Sequence, residues 1–121
     1  MNIARTTLCL LLASAALHTP AAAEQSQQAL RQTADTEFRK VGAELNELYG
    51  AVLARLDATE ATLLRAAQRA WLGYRDANCE AETGQYEGGS MQPMVRLGCL
   101  THQSRQRMEE LHRIYGPRLQ P

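Results

Sequence analysis

Apolar residues recur at helical intervals along most of this chain. Phe38, Val41, Leu45, Leu48 and Val52 step by 3, 4, 3 and 4, Leu56 follows four later, and Tyr49 and Leu53 widen the stripe. That spacing holds one face of a helix at about 100° per residue. Glu37, Arg39, Glu44 and Glu47 fall on the opposite side. Gly42 and Gly50 interrupt the pattern, each as a close helix approach or a weak spot. Asp57-Ala-Thr-Glu60 then has capping-box spacing, which predicts a helix boundary or bend there rather than one helix running through. Leu64, Ala67, Trp71 and Tyr74 form the expected buried face of a second helix, flanked by Leu63 and Ala70. It fades near Thr83-Gly84, with Gly84 as a left-handed cap.

Gln85-Tyr86-Glu87-Gly88-Gly89 is the one evident loop of this part of the chain. Ser90 is placed as the N-cap of a third helix, with Pro93 in its first turn, where a missing N–H costs nothing. Met94, Val95, Cys99, Met108, Leu111 and Tyr115 continue the repeat until Gly116-Pro117 stops it. Arg96, Arg105, Arg107 and Arg113 are assigned to a solvated basic face. The pattern predicts an all-α fold, a small three-helix bundle with one disulfide after a cleaved signal peptide.

The signal peptide comes from the first 23 residues. Arg5 supplies the positive start and Leu8 to Leu17 an apolar run of ten; Pro20 and Ala21-Ala22-Ala23 precede a cleavage site before Glu24. Ten helical residues rise about 15 Å against a hydrocarbon core of about 30 Å, so the run is no membrane span. Cys9 lies inside the run without the small residues that precede a lipidated cysteine. The expected organisation is therefore a signal peptide at 1–23, a polar and frayed segment at 24–33, a helical domain at 34–116 and a short tail at 117–121. The address is the periplasm, or the medium if the protein is secreted.

After cleavage twelve basic residues face thirteen acids, a net charge of −1. A chain without basic surplus is no electrostatic binder of nucleic acid. Cys79 and Cys99 remain, an even pair in an oxidising compartment, and read as a disulfide. The rival is a metal site of Cys79, Cys99 and His102, which lacks a fourth ligand in sequence and sits in an oxidising setting. The bond would close the last two helices as an antiparallel hairpin. The sequence holds no Gly-x-Ser-x-Gly, phosphate loop or His-Glu-x-x-His, and His102 and His112 fall about 80° apart on a helix. The expectation is a protein that is not an enzyme and needs no cofactor.

Several pieces together are more specific: Ala67-Gln68-Arg69-Ala70-Trp71, Tyr74-Arg75-Asp76 with Cys79, Gly88-Gly89-Ser90, Cys99, and Thr101 through Arg105 to Leu111. Ala43-Glu44-Leu45-Asn46 with Tyr49 adds a first-helix motif. Over residues 34–113 the chain resembles the LprI-like family of small exported proteins, which is named for a lysozyme inhibitor. The resemblance implies a helical, disulfide-bonded envelope domain, and lysozyme inhibition for some members. The chain lacks the upstream cysteine many members carry, so one bridge at most is expected, with no second domain or lipid anchor.

The residues themselves give each motif two readings. Trp71 is the largest core side chain or an exposed binding residue. Arg75 and Asp76 pair with helix three, close the helix end, or meet a partner. Gly88, Gly89 and Ser90 form a turn and cap or a contact loop. Asp76, Glu80, Glu82 and Glu87 put four acids in a stretch free of basic residues. Such a loop can be steered to a basic lysozyme and enter its glycan cleft, with Tyr86 as the aromatic anchor and Glu87 and Ser90 as polar contacts. The partner expected is thus a lysozyme-like glycoside hydrolase. The alternative is an envelope interaction module that binds another protein or a peptidoglycan-related glycan without inhibiting an enzyme. Intact-mass analysis of protein recovered from its host is expected to give residues 24–121 less two hydrogens. A retained leader or two free thiols would contradict the export reading.

Overall fold

A computed structural model describes residues 20–121, and the expected signal peptide lies largely, with Cys9, outside them. The described chain is an up-down-up bundle of α1 (Pro20–Leu53), α2 (Ala58–Thr83) and α3 (Gln92–Leu119), with one 3-10 turn at Gly84–Tyr86 and no strand among the described residues. The all-α expectation holds. Arg31 reaches the Ser90 carbonyl at one end, Glu37 pairs with Arg105, and Arg55 reaches the Arg118 carbonyl at the other end. Those contacts make α1 and α3 parallel, and α2 returns antiparallel between their ends.

The first stripe behaves as its spacing predicts. Val41, Leu45, Leu48 and Val52 are buried, and the last three join Leu64 and Leu111 in the main core. Each such side chain contributes about 1.5–3 kcal/mol on burial. On α3 the facing stripe is Leu100, Ser104, Arg107 and Leu111. Ser104 is fully buried, its hydroxyl donating to the Leu100 carbonyl at 2.8 Å, and its small volume lets α1 and α3 pack closely.

The α1–α2 boundary is the capping box. Backbone bonds tighten to Arg55 N–H···O=C Val52 at 2.9 Å, and Asp57 then turns extended at ψ 173°. Its carboxylate accepts from the Glu60 N–H at 2.8 Å, while Glu60 accepts from the Asp57 N–H at 3.2 Å.

The structure corrects several sequence expectations about the helices. Segment 24–33 is helical instead of frayed, as its Gln, Ala, Leu and Arg content favours. Ala67 and Tyr74 are exposed; the buried stripe of α2 runs Ala61, Leu64, Gln68 and Cys79, with Trp71 and Arg75 half-buried. Gly84 has right-handed angles (φ −55°, ψ −34°) and carries α2 into the 3-10 turn instead of capping it. Ser90 is not the N-cap of α3; Met91 holds that position with no side-chain bond, although Pro93 is in the first turn as expected. Pro117 does not stop α3, which continues to Leu119 because Leu119 packs on the core and Arg118 is held bidentate by Glu60.

Glu60 thus serves two helix ends, capping α2 and anchoring α3. The two bonds from Arg118, with that from the Asp57 N–H, hold its carboxyl below the ordinary carboxylate range. A carboxyl whose folded pKa is lowered stabilises the fold above its unfolded value and loses that contribution as pH falls through the folded one. Glu60→Gln is therefore expected to melt below wild type at neutral pH, with the gap closing below pH about 4. A gap undiminished in acid would refute the linkage.

Candidate functional site

The far end of the α2–α3 hairpin carries the expected contact residues. Cys79 and Cys99 are bonded across 20 positions, with Cα atoms 5.6 Å apart. Both sulfurs are consumed, which closes the rival metal set with His102. The bond is buried with Leu100 against Phe38 of α1. Thr83, also buried, donates to the Cys79 carbonyl at 2.8 Å and ends α2 tightly on the bridge.

Beyond Thr83 the chain turns back through two short bonds. Glu87 N–H donates to the Gly84 carbonyl at 3.1 Å and Gly89 N–H to the Tyr86 carbonyl at 2.9 Å. Gly88 has φ +74°, a conformation that strains any residue with a side chain. At Gly89 an added Cβ would lie 3.1 Å from the Tyr86 oxygen. The two glycines therefore serve two different needs, left-handed backbone and close approach. Tyr86 is held at the tip with 40% of its surface exposed, and Glu82, Glu87 and Ser90 are exposed beside it. A crevice of about 450 Å³ separates Ser90 from the start of α1.

The charges are more balanced than the sequence suggests. Asp76 pairs with its own neighbour Arg75 at 2.8 Å, not with helix three, and Glu80 meets Arg96 at 3.4 Å. Arg31 adds a guanidinium beside Ser90 at 3.4 Å. Glu82 and Glu87 are the tip carboxylates without an ion pair among the described residues.

Trp71 is neither fully buried nor a free binding residue. It packs against the main core with Arg75 at 5.3 Å and Arg107 at 5.8 Å from its ring centre. Arg75 also lies 6.0 Å from the Phe38 ring. Arg107 is a further residue that sequence reasoning misplaced: expected on a solvated basic face, it is 9% exposed, donates to the Gln68 side chain at 3.0 Å and pairs with Glu110. Its register gave the signal, since Leu100, Ser104, Arg107 and Leu111 step by 4, 3 and 4. Tyr74, part of the Tyr-Arg-Asp motif, is 59% exposed and belongs to neither the tip nor the core.

A family model described as lysozyme inhibitor LprI matches residues 19–111. An uncharacterised protein of Rhizobium meliloti (strain 1021) is 38% identical over 136 aligned positions, covering 94% of this chain and 96% of that one. No solved structure matches the chain.

The tip is set by its bridge and its left-handed glycine. Cys79→Ala/Cys99→Ala is expected to lose about 3 kcal/mol in urea unfolding, and Gly88→Ala about 1 kcal/mol. A double-cysteine variant as stable as wild type would show that packing alone fixes the hairpin end.

Proposed function

The chain belongs to the lysozyme inhibitor LprI family, and we propose that it is an exported helical binding protein that inhibits a lysozyme-type muramidase through its disulfide-stiffened tip. The observation that carries this reading is the extent of the match, which takes in α1, α2, the tip and most of α3. A protein of this kind acts by occupying its target, not by turning a substrate over. No helix among the described residues is long and apolar enough to cross a membrane. The working place is the periplasm, or the medium if the protein is secreted.

In this reading Tyr86 is the aromatic anchor that enters the glycan cleft. Exposed aromatics on a rigid turn lose little freedom on binding and often dominate an interface. Glu87 and Glu82 supply the free carboxylates that meet a basic rim, and Glu80 and Ser90 flank them. The bridge contributes by holding the tip in one shape before contact.

The ion pairs of Asp76 and Glu80 favour a second reading. They leave a weak field at the tip, which suits an envelope module docking on another protein or a peptidoglycan-related glycan without inhibition.

Residual activity of a basic animal-type lysozyme separates the two. The oxidised protein is expected to inhibit by the time it reaches tens of micromolar, roughly the weak end of specific protein association. Tyr86→Ala/Glu87→Ala should lose most of the inhibition while its circular dichroism stays helical. If oxidised wild type leaves the enzyme untouched, the inhibitor reading fails for basic lysozymes. Capture of a structural protein instead of a glycoside hydrolase from envelope extract would then support the second.

A further inference from the structure

Away from the tip, α1 and α2 diverge and leave an open cleft of about 490 Å³ between residues 38–49 and 65–75. Its apolar lining is Phe38, Leu45, Tyr49 and Leu72, and its charged lining is Arg65, Arg69 and Arg75. No carboxylate among the described residues lines it. Gly42 faces the same space, and an added Cβ there meets nothing within 4 Å.

Three observations give this cleft a chemistry. The first is charge: Arg65 and Arg69 stand one helical turn apart, a repulsive spacing, and neither has an ion pair among the described residues. The second is preorganisation. The Arg75 guanidinium is fixed by Asp76, Trp71 and Phe38, with 15% of its side chain exposed.

The third is Gln68, which also lines the cleft although it is only 7% exposed. Arg107 has no acceptor, so the oxygen of the Gln68 amide must face it. The amide nitrogen makes no hydrogen bond among the described residues and is not sealed from solvent, and Gln68 is one of the residues that line the cleft. Three arginines and one glutamine, all able to donate, thus line the cleft beside aromatic and aliphatic side chains.

We propose that the α1–α2 cleft binds a small amphipathic anion, its carboxylate or phosphate head on Arg65, Arg69 and Gln68 and its apolar body along Phe38, Leu45 and Leu72. The volume is that of a small-molecule site. Eleven residues of helix give a trough about 16 Å long, room for a medium-length acyl chain. Planar guanidinium pairs suit the bidentate geometry of such heads. The ligand is taken as a free molecule, because the donors border a recess between two helices, not a flat face that lies on a bilayer.

Calorimetric titration of the oxidised protein with sodium decanoate, beside decyltrimethylammonium, tests this. Saturable binding of the anion at one site is expected, with none of the cation. Arg65→Gln/Arg69→Gln should weaken binding at least about tenfold through the loss of charge-assisted bonds, with the disulfide intact and the melting temperature unchanged. Gly42→Leu, which fills the trough from the opposite helix, should abolish binding without touching a charge. Equal binding of both surfactants, retention in Gly42→Leu, no binding of decanoate, or binding to phosphatidylglycerol vesicles alone would each overturn the proposal.

Discussion

The bundle depends on how α2 is fastened to the other two helices. Helices α1 and α3 share the more extensive seam, in which Leu45, Leu48 and Val52 pack with Leu111, whereas α2 offers few buried apolar side chains, among them Ala61, Leu64 and Cys79. Burial on that scale is worth a few kcal/mol at most. The Cys79–Cys99 bond contributes about as much as one or two buried leucines, and with Leu100 and Phe38 it forms a small second core at that end of α2. Glu60 with Arg118 fastens the other end, and the Gln68–Arg107–Trp71 stack lies between. Polar and covalent devices do for α2 what hydrophobic area does for α1.

That difference explains which parts of the fold were legible. The α1 stripe is read correctly because its inward residues are apolar and its period is clean. The capping box is equally plain, since Asp57 and Glu60 satisfy each other locally. The hairpin pairing followed from two cysteines and a compartment. Reading failed where a polar side chain fills an inward position: Gln68 and Arg75 displace Ala67 and Tyr74 from the buried stripe, and Arg107 sits in the seam of α3. Long methylene stems let such residues pack while their heads find partners across the bundle, and a one-dimensional pattern does not show those partners. Pro117 misled for a similar reason, because the contacts of Arg118 and Leu119 outweigh its helix-breaking character.

The candidate site was legible in its parts and not in its charge. Tyr86, Gly88 and Gly89 stand out in the sequence and take distinct places at the tip. The four acids nearby looked like a uniform patch, yet Arg75 and Arg96 answer two of them. A chain of nearly zero net charge is therefore sorted in space. Free carboxylates sit at the hairpin end, and guanidinium groups gather along the α1–α2 cleft, whose Leu45, Asn46, Tyr49, Gln68, Arg69 and Arg75 belong to the sequence motifs although their spacing did not reveal a recess. Such sorting leaves Glu82 and Glu87 unanswered on one surface and Arg65 and Arg69 on another, among the described residues.

Most helices melt from their ends inward, because terminal turns have the fewest bonds. Helix α2 is tied at both ends and carries Gly73, a poor helix former, near its middle. With both ends held, and with Gln68 and Trp71 held by Arg107 between them, α2 has no free end from which to unravel, so its turns open as one unit rather than from the termini inward.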